Sequence, residues 1–162
     1  MLKHLFHVLL LMVICHQTAT AQILGRNKKV TVPVGTPLVV EINESRTSDE
    51  LVLNDPIQMR VRDAVSVGGH TIIPAGASAV GLVEEITKAT ADTPAYIRVR
   101  AAWAVAIDGQ TIGLRGDRTF VAAQNNMPAS VPFGKILFAW VNEDWKVQFK
   151  LGFCQIKAVW YF

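Results

Sequence analysis

Apolar residues recur at every second position along this chain, interrupted by proline–glycine corners, and that pairing restricts it to β-structure. Ile57, Met59 and Val61 alternate with Gln58, Arg60 and Arg62, so one side of an extended segment is apolar and the other polar. Successive side chains on a strand point to opposite faces, whereas a helix repeats every 3.6 residues. Ile97, Val99, Ala101, Trp103 and Val105 repeat the pattern, which predicts that they share one face of the longest strand. No stretch has sustained i, i+3, i+4 apolar spacing with caps. Residues 45–53 have room for one helical turn, with Ser48 or Asp49 as its cap.

The breaks between strands are equally specific. Gly68-Gly69, between Val65–Val67 and His70–Ile73, is a two-residue turn of the kind that joins hairpin strands. Asp108-Gly109 reverses the long strand into Gln110–Leu114. A strand-then-glycine corner occurs at Val32-Pro33-Val34-Gly35-Thr36 and again at Ile73-Pro74-Ala75-Gly76-Ala77, with a weaker echo at Phe149-Lys150-Leu151-Gly152-Phe153. Proline fixes φ and glycine permits positive φ, so an extended run can turn sharply and continue as another extended run. The expected fold is all-β: a single small β-barrel or closed sandwich with Gly/Pro corners and at most one short helix. Trp140, Trp145 and Trp160 fall in the core pattern, and a last strand is expected over 154–161.

Residues 1–21 have the layout of a secretory signal peptide. Lys3 precedes an apolar run from Leu5 to Cys15, and Ala19 and Ala21 place the cut before Gln22. That run falls short of the roughly 20 apolar residues of a spanning helix, so no membrane-spanning segment is expected after cleavage. Ile14 before Cys15 is too bulky for lipid attachment at that cysteine. The expected organisation is a leader over 1–21, a lead-in over 22–29 containing Arg26, Lys28 and Lys29, and one barrel domain over 30–162. Secretion or a periplasmic location follows from the leader. After its removal only His70 and Cys154 remain of four His and two Cys. One cysteine cannot form an internal disulfide, and the pair supplies no zinc cluster. Hydrophobic residues at 51% and charged residues at 18% exclude a disordered chain. A net charge of +3 is too small to indicate a nucleic-acid partner.

The corners carry a family resemblance. Gly35-Thr36-Pro37-Leu38, Arg62-Asp63-Ala64-Val65, the run Ile72 to Gly81, Arg98-Val99-Arg100-Ala101-Ala102-Trp103 and Asp108-Gly109-Gln110-Thr111-Ile112-Gly113-Leu114 occur in this order. The order is similar to the C-terminal β-barrel of TrbI-like proteins, the outer-ring component of type IV secretion and conjugation channels. The match spans residues 34–115 and carries no catalytic signature. Those channel proteins have a helical insertion that crosses the outer membrane. The corresponding stretch here, Gly116 to Pro132, is short and polar. The resemblance therefore implies a barrel in the bacterial envelope and does not imply a pore.

No catalytic, cofactor-binding or metal-ligating residue is expected. His70 sits at a turn, no Ser or Cys shares a recognisable triad motif with it, and G-x-S-x-G is absent. Cys154 lies in an apolar alternating run, where a thiol behaves as a small hydrophobe. Glu84 and Glu85 are adjacent on a strand, so they are expected on opposite faces and not as a carboxylate dyad. Asn43-Glu44-Ser45 matches the glycosylation pattern, which the bacterial features outweigh. Arg60, Arg62, Arg98 and Arg100 are the binding candidates. If their strands were neighbours, four guanidiniums would share a surface suited to phosphate or carboxylate. The plainer alternative gives each a Glu partner across the strand. Three function classes follow: a non-enzymatic envelope module acting by protein contact or self-association, a small-ligand or glycan-binding barrel, and a hydrolase of unrecognised type.

Overall fold

A computed structural model describes residues 27–150, with no helix among the described residues. The leader with Ala19, Ala21 and Gln22, the echo corner beyond Lys150, Cys154, Trp160 and the strand expected over 154–161 lie outside the described residues. In chain order the strands are β1 (Asn27–Val32), β2 (Pro37–Ile42), β3 (Arg46–Thr47), β4 (Pro56–Val61), β5 (Val65–Val67), β6 (His70–Ile73) and β7 (Ser78–Thr87). They continue as β8 (Tyr96–Val105), β9 (Thr111–Arg115), β10 (Asp117–Val121), β11 (Ser130–Val131), β12 (Ile136–Val141) and β13 (Trp145–Lys150).

Six of these close a ring in the order β8–β7–β4–β2–β12–β9, and β9 returns to β8, every pair antiparallel. The chain is an all-β closed barrel. Leu38, Val40 and Ile42 of β2, Ile57, Met59 and Val61 of β4, and Leu137, Ala139 and Val141 of β12 point inward and are buried. About eight strands give an interior just wide enough for side chains to fill, so a ring of six is a packed core without a lumen.

The corners give the ring its closure. Four turns have the same plan: Pro33–Thr36, Val52–Asp55, Pro74–Ala77 and Pro132–Lys135, each with the fourth N–H donating to the first carbonyl at 3.1–3.4 Å. Their third residues, Gly35, Asn54, Gly76 and Gly134, have φ between 68° and 81°, as a type II turn demands. Each turn then docks on the strand that pairs with the one it starts. Gly35 N–H donates to the Val141 carbonyl at 2.8 Å, and Val141 N–H donates to Thr36 at 3.0 Å. Gly134 and Lys135 make the same two bonds with Ile42. The turn before β2 thus caps the end of β12, and the turn before β12 caps the end of β2. The strands β4 and β7 repeat the exchange through Gly76 with Val61 and Asn54 with Val83. The two corners read from sequence are members of this set. The other two are Val52–Asp55, where Asn54 takes the place of glycine, and Pro132–Lys135, which has the same proline–glycine spacing.

Two irregularities between β7 and β8 correct the simple alternation. The register passes from Val80↔Trp103 to Gly81↔Ala101, leaving Ala102 as an extra residue. A bulge of this kind inverts the facing of everything beyond it. Ile97, Val99 and Ala101 point inward as expected, but Ala104 takes the next inward place, and Trp103 and Val105 are only partly buried. The second shift, between Val83 and Glu85, leaves Glu84 unopposed. Residues 45–53 hold strand β3 and a turn at 48–50, not a helix. The N–H of Thr47 donates to the Glu50 carboxylate at 2.9 Å, so Thr47 takes the capping place expected of Ser48 or Asp49. Ser48 is instead fully buried, and its hydroxyl accepts the Ala129 N–H at 3.1 Å beside the β3–β11 pair.

Candidate functional site

The most distinctive surface lies on the outside of β2 and β12. Because Leu137, Ala139 and Val141 face the core, Phe138 and Trp140 must face out, and they are 64% and 42% exposed. Across the strand, Phe138 stands opposite Val39 and Trp140 opposite Pro37. Both rows extend into arginine. Arg62 N–H donates to the Val39 carbonyl at 2.8 Å, which sets Arg62 beside Val39. Arg115 of β9 stands opposite Trp140. One row therefore reads Arg62, Val39, Phe138, and the other Pro37, Trp140, Arg115. A hollow of about 430 Å³ runs along this face, and its lining includes Pro37, Val39, Phe138 and Trp140 together with Asp63 and Ser66. On the other side of the Phe138–Trp140 ridge lies a second hollow of about 420 Å³, lined by Asp117, Arg118, Ile136, Leu137, Phe138 and Trp140.

The second hollow comes from the path of the chain at Gly116. The strand that begins as β9 beside β12 turns there with φ +135° and continues as β10 beside β8. Gly116 is anchored by its carbonyl, which accepts the Ala101 N–H at 2.8 Å. Strand β12 is laddered to β9 at Trp140 and Val141 only. From Ile136 to Ala139 its second edge has no ladder partner among the described strands, and neither has the far edge of β10. The Arg118 guanidinium crosses this split, donates to the Ile136 carbonyl and lies 5.5 Å from the Phe120 ring centroid.

The four arginines read from sequence do not converge. Strand β7 lies between β4 and β8, so the condition for a shared guanidinium surface fails. Each strand's first arginine instead has a carboxylate partner: Arg60 meets Glu41 at 3.3 Å, and Arg98 meets Glu85 at 3.2 Å and Asp117 at 4.0 Å. Arg100 meets Glu84 at 3.7 Å. The bulge at Glu84 explains how two adjacent glutamates both reach outward arginines, against the expectation of opposite faces; Glu85 also accepts from the Tyr96 hydroxyl. Arg62 alone of the four has no carboxylate within 4 Å among the described residues. Arg60 and Arg62 do share a hollow of about 210 Å³ with Glu41 and Gly76. His70 follows the Gly68-Gly69 turn, where both glycines have positive φ, and its Nε2 lies 2.9 Å from the Lys28 ammonium.

A contrast among the arginines marks the β2–β12 face. Arg46, Arg60, Arg98 and Arg100 are ion-paired. Arg62, Arg115 and Arg118, which have no carboxylate within 4 Å among the described residues, all border the Phe138–Trp140 ridge or its split. The sequence hides this site because Ile136-Leu137-Phe138-Ala139-Trp140-Val141 is apolar at every position and reads as core. The usable signal is the size difference between alternating sets: aliphatic Leu137, Ala139 and Val141 fit a narrow interior, which leaves the aromatics outside. No family model and no curated protein matches the chain.

Proposed function

We propose that the protein is a secreted or periplasmic, non-enzymatic β-barrel module of the bacterial envelope that works by protein contact through the outer face of β2 and β12. The observation that carries this reading is the pair of exposed apolar rows, Val39–Phe138 and Pro37–Trp140. Aromatic side chains flanked by arginine are the composition of an interface centre. The signal-peptide pattern of residues 1–21 and the TrbI-like order of corners support the envelope setting.

The test is photocrosslinking in cells producing the full chain, with benzoylphenylalanine at position 138 or at Gln58, an exposed residue of β4. A discrete adduct is expected at position 138 and abolished by Trp140→Ser, with none at Gln58. Equal labelling at both positions, or none at either, defeats the reading. Mass spectrometry of the recovered chain is expected to find Gln22 as its first residue. A second reading, a small-ligand or glycan site, is favoured by one feature: Trp140 lines a hollow together with Asp63 and Ser66. A stacking face with nearby polar groups suits a sugar, and glycan-array binding lost in Trp140→Ala would select this reading.

A further inference from the structure

We propose that the outer face of β2 and β12 docks on the same face of a second copy of the chain, about a two-fold axis that runs along the strands. The inference rests on the protein-contact reading and names the partner. A two-fold contact uses one patch twice, so the patch must be complementary to itself. The first row of this face reads Arg62, Val39, Phe138 and ends at Asp117, which lines the hollow beside Phe138. The second begins at Asp63, which lines the other hollow with Pro37 and Trp140, and continues through Pro37 and Trp140 to Arg115. One row is therefore basic on the β4 side and acidic on the β10 side, and the other row is the reverse. Rotation about an axis along the strands exchanges the two sides and keeps each row at its own level. It sets Arg62 against Asp117 of the second copy, and Asp63 against Arg115 of the second copy, each twice. All four residues are exposed. Arg62, Asp63 and Arg115 have no oppositely charged group within 4 Å among the described residues, and Asp117 has only Arg98, at 4.0 Å.

Shape selects this axis over one that runs across the strands. The Phe138–Trp140 ridge stands on β12 beside the hollow of about 430 Å³ whose lining includes Pro37 and Val39 of β2. Rotation along the strands lays the ridge of each copy into the hollow of the other, with Phe138 against Val39 and Trp140 against Pro37. Rotation across the strands would satisfy the charges too, by Arg62 with Asp63 and Arg115 with Asp117, but it sets ridge on ridge and hollow on hollow. The centre of a specific interface packs as densely as a protein interior, which admits the first arrangement and excludes the second. The two copies of β12 then run in the same direction, within the angle of about 30° that two twisted sheets adopt face to face. Guanidinium–carboxylate pairs are directional and strong for their size, and here they fix the register of an otherwise apolar contact.

The experiment measures self-association by sedimentation velocity over a range of concentrations, on protein purified from cells producing the full chain. The parent is expected to be a concentration-dependent dimer. Asp63→Arg sets a like charge against Arg115 of the second copy, and Arg115→Asp sets one against Asp63, so each alone is expected to weaken the dimer about tenfold or more. Both positions are exposed, and both variants should keep the parent's unfolding midpoint. In a mixture of the two variants, every contact between position 63 of one and position 115 of the other joins opposite charges. A heterodimer of parental affinity is therefore expected from two variants that dissociate when apart. Rotation across the strands brings position 63 against Arg62 instead and predicts no such rescue. A parent chain that is monomeric at every concentration overturns the proposal, as do a dimer indifferent to both substitutions and a mixture without rescue. Crosslinking at position 138 is scored separately. An adduct there with a different protein, from a chain that is monomeric when pure, removes the second copy and leaves the broader reading standing.

Discussion

Replacing Gly116 with alanine should be the most damaging small change in the barrel wall. An added Cβ there would stand inside 3.0 Å of the Phe138 carbonyl oxygen and 3.1 Å from the Ala139 Cα. Both atoms belong to the backbone of β12, which β2 holds in register from Ile136 to Trp140, so the neighbour cannot give. The φ of +135° adds a second cost. Strain of a non-glycine residue in so sparse a region is about 1–3 kcal/mol, and overpacking adds about 1–3 kcal/mol. Loss of unfolded-state freedom offsets about 0.4–1 kcal/mol. The expected net destabilisation is about 1–5.5 kcal/mol, against the roughly 5–15 kcal/mol that holds a domain folded. The control is Gly76→Ala, where φ is +81° but nothing lies within 4 Å of the added Cβ. There only the left-handed strain applies, about 1–2 kcal/mol before the same offset. Urea unfolding of the full chain, followed by tryptophan fluorescence, compares the midpoints at equal m. If Gly116→Ala unfolds no earlier than Gly76→Ala, the close approach of β9 and β12 is misjudged.

Further expectations follow from the same contacts. Ser48→Ala strands the buried Ala129 N–H that its hydroxyl now accepts, a loss of about 1–3 kcal/mol in chemical denaturation; a loss below half that would mean the β3–β11 pair finds another acceptor. Arg98→Ala breaks ion pairs whose partners are 43% and 57% exposed, so its midpoint should move by no more than about 1 kcal/mol. Asn54→Gly should leave stability near that of the parent, because its φ of 68° is open to glycine. By contrast Asn54→Ala should lose about 1 kcal/mol, and equal midpoints for the two would refute the four-corner equivalence.

The barrel was legible in the sequence where inward and outward residues differ in polarity. Strand β4, with Ile57, Met59 and Val61 inside and Gln58 and Arg60 outside, is the clearest case. Strand β12 was not legible, because both of its faces are apolar and period two vanishes. Strand β8 was half legible. Nothing local marks the bulge at Ala102, since a bulge is a property of the pairing with β7, so alternation alone puts Trp103 on the wrong side. The arginine cluster failed for the same reason: strand order is set by long-range closure, and β7 separates the two pairs. The corners show the opposite case. Proline followed two residues later by glycine fixes the turn locally, but only the folded ring reveals which strand end each turn caps.

Those reciprocal caps have a consequence for the time course of folding. The turn at Gly35 gains its partner only when Val141 arrives, and the turn at Gly134 only when it meets Ile42. The β2–β12 pair, flanked at the two ends of the described chain by the β1–β13 pair, is a contact of high sequence separation whose loop-closure entropy must be met before the bonds form. The β4–β7 pair needs only the intervening hairpin and can form early. Folding should therefore proceed from an exchanged β4–β7 half to a late, slow docking of β2 on β12. Until that last step the edges of both strands stand open to other chains.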